Sequence, residues 1–265
     1  MSIDPTTSIH PSAVIEEGAV IGPRCTVGPF CVIDGNVVLH EDVVVKSHAV
    51  ITGITEIGAG TKVFPFASVG EIPQDLKFQG EATRLVIGAR NRIREGATIN
   101  TGTSGGGGET RIGDDGLFMA NTHVAHDCIV GSRVIMANNA CLAGHCIVSD
   151  DVIIGGLSGV HQFVRIGHGA IIGAVTMVTH DVIPHGLVQG PRGVLDGLNL
   201  VGLKRKGVAR SDITALRAAY QTLAQGEGTF QDRVHRLSDE TDSDYVRDVA
   251  DFVLSATDRS FLTPG

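Results

Sequence analysis

The sequence predicts a mainly β protein, a parallel β-solenoid of hexapeptide repeats followed by a small α-helical C-terminal domain. Three observations carry this. An apolar residue recurs at every sixth position, glycine and proline recur between those positions, and helical spacing replaces the hexads near the carboxyl end.

The hexads run from Ile3 through Ile9, Ile15, Ile21, Val27, Ile33, Leu39, Val45, Ile51, Ile57 and Val63 to Val69. They resume at Ile87, Ile93 and Ile99, then one residue out of phase at Ile112, and continue through Phe118, Val124, Val130, Met136 and Leu142 to Val178. Self-similarity at a fixed period is the mark of stacked repeats. Four residues beyond each apolar position the side chain is mostly small or β-branched, as at Ala19, Cys25, Cys31, Val43, Cys128, Ala140 and Cys146. That position and the next hexad residue point inward with one outward residue between them, which describes a short strand. Pro11, Pro23, Pro29 and Pro65 all fall two residues after an apolar position, where a turn is required. Three hexads close a triangular coil, and coils stack at about 4.8 Å. Scarce aromatics (4%), no Trp and 35 glycines suit a core of small and β-branched side chains.

Residues 1–190 form the predicted solenoid and 191–265 the helical domain. Segments at about 70–85 and 100–110 break the repeat and must protrude as loops. Loops held on a rigid scaffold often carry function. In the tail, Ile213, Leu216, Tyr220 and Leu223 share a helical face, with Ser211 as the expected N-cap. Thr229 caps a second helix carrying Val234 and Leu237, and a third lies around 244–256.

A net charge of −8 argues against a general nucleic-acid surface. The amino end lacks the apolar core of a signal peptide, and no run is long enough to span a bilayer. Five cysteines without paired spacing fit a reducing compartment, so a cytoplasmic location is expected.

The stretch NTHVAHDC (121–128) holds two histidines and an aspartate. Stacking three hexads per coil sets His126 one coil below Gly144 and two below Gln162, with Asp127 below His145 and His161 beside Gln162. His123, His126, His145 and His161 then gather within roughly 10 Å on one side of the prism. His126 and Asp127 fall at turn positions, where side chains splay outward. A flat prism face makes no deep pocket, so a loop or a second subunit must supply the other wall, which favours a cyclic homo-oligomer. Lys204, Arg205, Lys206 and Arg210 form a basic cluster suited to phosphate groups or an acidic protein.

The motifs QDLKFQGEATR (74–84), NRIREGATIN (91–100), HVAHDCIVG (123–131), ANNACLAGH (137–145), IGGLSGVHQF (154–163) and GLNLVGLKRKG (197–207) resemble the UDP-N-acetylglucosamine 3-O-acyltransferase family of lipid A biosynthesis, over nearly the whole chain. The resemblance implies a left-handed parallel β-helix and a homotrimer. It implies transfer of a 3-hydroxyacyl chain, carried on the phosphopantetheine of acyl carrier protein, to the 3-position of UDP-N-acetylglucosamine, with no cofactor or metal of the enzyme's own. His126 would be the catalytic base, Asp127 would orient its ring, and the Gly144 N–H would form the oxyanion hole. Gln74, Asp75, Lys77, His123, His145, His161 and Gln162 would line the substrate cleft, and Asn199 and Arg205 would meet the nucleotide. Three positions depart from the family pattern: Val201 where an acidic residue is expected, NTGT (100–103) in place of His-Arg-Gly-Thr, and Ala174 where long-chain members carry glycine. The added methyl at 174 implies a shorter acyl chain.

Three alternatives stay open on the residues alone. One is the later N-acyltransferase of the same pathway, which carries a separate domain before its solenoid. Another is a zinc enzyme of the γ-carbonic-anhydrase kind, which stoichiometric zinc would mark. The last is a non-catalytic scaffold, in which losing His126 changes nothing.

Overall fold

The computed structural model describes residues 2–255 and 259–263, and in it the hexads wind into a left-handed parallel β-helix. Two-residue strands stack into three parallel sheets, forming the three faces of a triangular prism. The first sheet begins at Ser2–Ile3, the second at Ser8–Ile9 and the third at Val14–Ile15. Partners lie 18 residues apart, as in Ser2 with Val20 and Cys141 with Gly159, so the register is the repeat length itself.

Both inward positions are sealed. Ile33, Ile51, Ile57 and Val63 among the hexad residues, and Ala19, Cys31, Val43 and Ala49 among the small ones, are 0% exposed. The turns impose a cost, because most of them take one residue into the left-handed region. Asp127 (φ 59°), His145 (φ 62°) and Phe163 (φ 65°) stack in one corner this way. A left-handed non-glycine residue costs roughly 1–2 kcal/mol. The N–H of that residue bonds the carbonyl of the coil below, as from His145 to His126 (3.0 Å), and the repeated ladder offsets the strain.

Two excursions interrupt the count and leave the stack intact. Ile57 pairs with Ile87 across the first, spanning 72–83. Ile87 pairs with Ile112 across the second, spanning 101–108, where Ser104–Gly106 make one 3-10 turn. The second excursion adds one residue more than a whole hexad, which is the phase slip seen at Ile112.

The strand at Gly186–Gln189 extends the second sheet and pairs antiparallel with Val194–Leu198. Helices α1 (Leu200–Arg205), α2 (Arg210–Gln225), α3 (Phe230–Glu240) and α4 (Asp244–Leu254) follow. Leu203, Leu216, Leu223, Val234, Val249 and Val253 bury their apolar faces. Thr229 closes a capping box with Asp232 at the start of α3, as its sequence predicts. Ser211 is not the cap of α2. That helix begins two residues earlier, at Arg210 after Ala209, and Ser211 lies within the first turn. There Asp212 supplies the negative charge the helix start favours and accepts a bond from the Ser243 hydroxyl (3.2 Å). The short α1 carries no hexad or amphipathic signal and was not expected; the Asn199 side chain caps it.

Candidate active site

The corner that joins the third sheet to the first carries His126 and Asp127, with Gly144 and His145 one coil above. The imidazole of His126 packs closely against Gly144. A Cβ built on Gly144 would come within 2.5 Å of His126 Cε1 and 2.7 Å of Nε2, so only glycine leaves the ring room. The Gly144 carbonyl accepts from the Phe163 N–H (3.1 Å). Its own N–H meets no acceptor among the described residues. Elsewhere the same turn position tolerates Pro23, Pro29 and Pro65, which have no N–H at all.

His126 Nδ1 sits 2.7 Å from Asp127 Oδ2. A carboxylate only accepts, so Nδ1 carries the proton and the neutral ring keeps a free lone pair on Nε2. The Asp127 side chain is 0% exposed and that of His126 14%. The turn position suggested that Asp127 splays into solvent. It does not, because the second excursion folds over it. Thr103 donates its N–H to Oδ1 (2.8 Å) and its hydroxyl to Oδ2 (2.6 Å). Thr110 Oγ1 accepts from the Asp127 N–H (2.8 Å).

His145 stands edge-on to His126, ring centroids 5.0 Å apart, and stacks on Phe163 at 4.4 Å. Burial pushes the His145 pKa below the usual imidazole value, against the weaker opposing pull of the Asp127 carboxylate. His123 is also pushed down, by burial first and by the nearby His126 second. Its Nδ1 lies 2.7 Å from Thr98 Oγ1.

An open groove of about 490 Å³ runs along the third sheet beside these residues, lined by Gln74, His123, His126, Gly144, His161 and Met177 among others. Across the corner, a second hollow of about 320 Å³ is bounded by Asp75, Lys77, Thr103, His145 and Phe163. The first excursion therefore contributes to both sides. Arg259 from the tail donates to His161 Nδ1 (2.9 Å) and to the Gln162 carbonyl (2.8 Å).

Asn199 and Arg205 do not join this group. They line a separate hollow of about 240 Å³ against the second sheet, with Arg133, Asp151, His185, Val201 and Lys206. The Asn199 amide bonds the Gly169 carbonyl (2.9 Å) and caps α1, and Lys206 pairs with Asp151 (2.9 Å). Ala174 is exposed, at the far edge of the third sheet from His126. Asn100, first residue of the departing NTGT stretch, bonds the carbonyls of Glu71 and Ile72 and pins the root of the first excursion.

His126, Asp127 and His145 have ligand atoms within 4.8 Å of one another, the arrangement of a possible metal site among the described residues. Both Nδ1 atoms, however, face the same carboxylate oxygen, at 2.7 and 3.8 Å. That is the geometry of a carboxylate shared between rings rather than of three donors converging on a cation.

Sequence reasoning missed Thr103, Thr110, Phe163 and Arg259. Thr103 and Thr110 flank the break in the hexads, Phe163 occupies an ordinary turn position, and Arg259 arrives from the end of the chain. None is marked by periodicity.

A hexapeptide-repeat β-helix with a carboxylate-held histidine over a naked glycine amide defines a transferase class, and comparison with known proteins narrows it. Residues 181–262 match the model described as UDP-N-acetylglucosamine O-acyltransferase, domain 2, and residues 2–35 and 18–53 match the bacterial transferase hexapeptide model. The acyl-[acyl-carrier-protein]–UDP-N-acetylglucosamine O-acyltransferase of Paracoccus denitrificans is 69% identical over 203 residues, covering 76% of this chain and 77% of that protein. Its counterpart in Rhizobium johnstonii is 47% identical over 219 residues, 82% of this chain and 80% of that one. The solved UDP-N-acetylglucosamine acyltransferase of Campylobacter jejuni superposes with a TM-score of 0.91 at 39% identity, over 96% of this chain and 99% of its own. That of Francisella novicida gives 0.93 at 34%, over 96% and 93%. The chain belongs to the acyl-[acyl-carrier-protein]–UDP-N-acetylglucosamine O-acyltransferase family.

Proposed function

We propose that the protein transfers a 3-hydroxyacyl chain from acyl carrier protein to the 3-position of UDP-N-acetylglucosamine, the first step of lipid A biosynthesis, with His126 as general base and no acyl-enzyme. The observation that carries this is the stack of three groups: buried Asp127, the His126 ring 2.7 Å away, and the Gly144 backbone against that ring one coil above.

Chemistry follows from the tautomer. Nε2 of neutral His126 takes the proton of the sugar hydroxyl as its oxygen attacks the thioester carbonyl. Asp127 fixes the ring and stabilises the imidazolium that forms. The Gly144 N–H stabilises the tetrahedral oxyanion; one such donor is typically worth about 2.7–4 kcal/mol of barrier. As the intermediate collapses, the carbon–sulfur bond breaks and the leaving thiolate takes the proton back from Nε2. Both substrates must be present together, so no acyl group rests on the protein. None of these steps asks for a metal or a resident cofactor.

Substrate contacts are read from the same geometry. Gln74, His123 and His161 border the groove, Asp75, Lys77 and His145 sit around the corner from it, and Gln162 occupies the corner step one coil above Gly144. Asn199 and Arg205 belong to another face of the chain and reach a sugar nucleotide only if copies of the chain assemble side by side. A cyclic homotrimer does this, and it would also cover Ile129 (50% exposed), Ile147 (41%) and Met177 (50%). Acyl carrier protein, being acidic, would dock by its charge on the basic α1 segment. No helix among the described residues is long and apolar enough to cross a membrane, and the five cysteines are free thiols. We place the enzyme in the cytoplasm, where its donor is made.

The test is a transfer assay with UDP-N-acetylglucosamine and 3-hydroxyacyl carrier proteins of graded length. General-base catalysis contributes about 10²- to 10⁴-fold. His126→Ala is expected to lose a factor of that size in kcat and keep its melting temperature, since the ring packs outside the core. Short donors should lead the series if the methyl of Ala174, where long-chain members carry glycine, shortens the acyl path. Unchanged turnover in His126→Ala would sink the proposal.

A further inference from the structure

We infer that Thr103 is a positioning residue for the reaction: it aims the Asp127 carboxylate at His126 and withholds it from His145. The inference rests on the reading of His126 as the base.

Asp127 has two imidazoles within reach. Its Oδ2 lies 2.7 Å from His126 Nδ1 and 3.8 Å from His145 Nδ1. A small rotation of the carboxylate would exchange one partner for the other. Thr103 blocks that rotation from the opposite side. Its N–H holds Oδ1 at 2.8 Å and its hydroxyl holds Oδ2 at 2.6 Å. The two donors grip both oxygens, so the plane of the group is fixed as well as its place. Gly106 closes the grip, for a Cβ there would stand 2.0 Å from Asp127 Cγ.

Thr103 is itself held. Its carbonyl accepts from the N–H groups of Gly106 (3.1 Å) and Gly108 (2.8 Å). Its neighbour Ser104 donates its N–H and hydroxyl to Glu81 Oε1 (3.2 and 3.1 Å). Glu81 belongs to the first excursion, and backbone N–H groups, Gln79 foremost, keep its pKa down to about 2. A line of contacts thus runs from one excursion through the other to the base. The glycine run after Thr103 lets the chain turn sharply enough to deliver these donors, which gives the second excursion a purpose other than spacing.

Thr103→Val keeps the shape and the backbone donor and deletes the hydroxyl. Losing one hydrogen bond to a charged group is expected to lower kcat about 10- to 100-fold. KM for the sugar nucleotide should change little. Thr103→Ser should restore most of the loss. With the carboxylate free to turn between the two rings, the His126 imidazolium loses part of its partner, so the acid limb of the pH–rate profile should move to lower pH. A purely structural role would lower the melting temperature without moving that limb. In histidine-labelled enzyme, the deshielded His126 Nδ1 proton resonance should weaken in the valine variant as the carboxylate divides between the rings. If Thr103→Val fails to fold, the wild type decides: the His126 Nδ1 proton should show a nuclear Overhauser effect to the Thr103 side chain, and its absence overturns the inference. Wild-type kcat and an unmoved acid limb in a folded Thr103→Val also overturn it. That result beside an inactive His126→Ala leaves the general base standing; activity in His126→Ala removes both.

Discussion

At the scale of the residue, Gly144 answers to two demands at once. It leaves room for the His126 ring, and it carries an unpaired N–H at a residue that lines the groove. Gly144→Ala separates the two, since alanine keeps the N–H while its methyl would meet His126 Cε1 at 2.5 Å. A misplacement of about 1 Å at a reacting group can cost about 10²-fold. The expected result is a fall of about that size in kcat with nearly unchanged KM, checked by steady-state kinetics. His126, Asp127 and Gly144 were legible in the sequence because the repeat length dictates which residues stack. Thr103 was not. Its contact with Asp127 depends on the path of a segment that has left the repeat, and no periodicity reports such a path.

At the scale of the element, the join between solenoid and helices is built around a histidine. His185 is 3% exposed, packs edge-on to His168 at 5.5 Å, and reaches Tyr245 of α4 at 5.5 Å. Burial, reinforced by His168 and then Lys206, drops its pKa to about 4, with Asp151 pulling weakly the other way. In the unfolded chain it would take up a proton near 6.5. The folded state resists that proton, so the stability His185 contributes is complete above about pH 6.5 and drains away as the pH falls toward 4. The slope approaches about 1.4 kcal/mol per pH unit. Urea unfolding at pH 7.5, 6 and 5 should show this decline, and His185→Gln should flatten it. The strands and three longer helices were readable from apolar spacing. The start of α2 and the whole of α1 were not, because helix ends are settled by local partners such as Asp212 and Asn199 rather than by a stripe.

At the scale of the molecule, residues that the proposed reaction assigns to one substrate lie on different faces of the prism. His126 borders a groove on the third sheet, and Arg205 lines a hollow on the second. If adjacent subunits complete each other's sites, two crippled chains should rescue one another. Coexpressed His126→Ala and Arg205→Ala chains, randomly mixed, should recover about a quarter of wild-type turnover, since about one interface in four pairs an intact His126 with an intact Arg205. Each variant alone should remain poor, and recovery no greater than the sum of the two would show that every chain works by itself. The winding also bears on how such a catalyst arises. Because prolines at 23, 29 and 65 fit turn positions equivalent to 144, the backbone there needs no amide hydrogen to hold the coil. Some corner steps spend that hydrogen on a neighbour, as Ala89 does on Asp114 (2.8 Å) and Ser132 on Asp150 (2.9 Å), whereas Gly144 leaves it idle, so a coil of this kind acquires an electrophile-stabilising donor by leaving one step bare, at no expense to the scaffold.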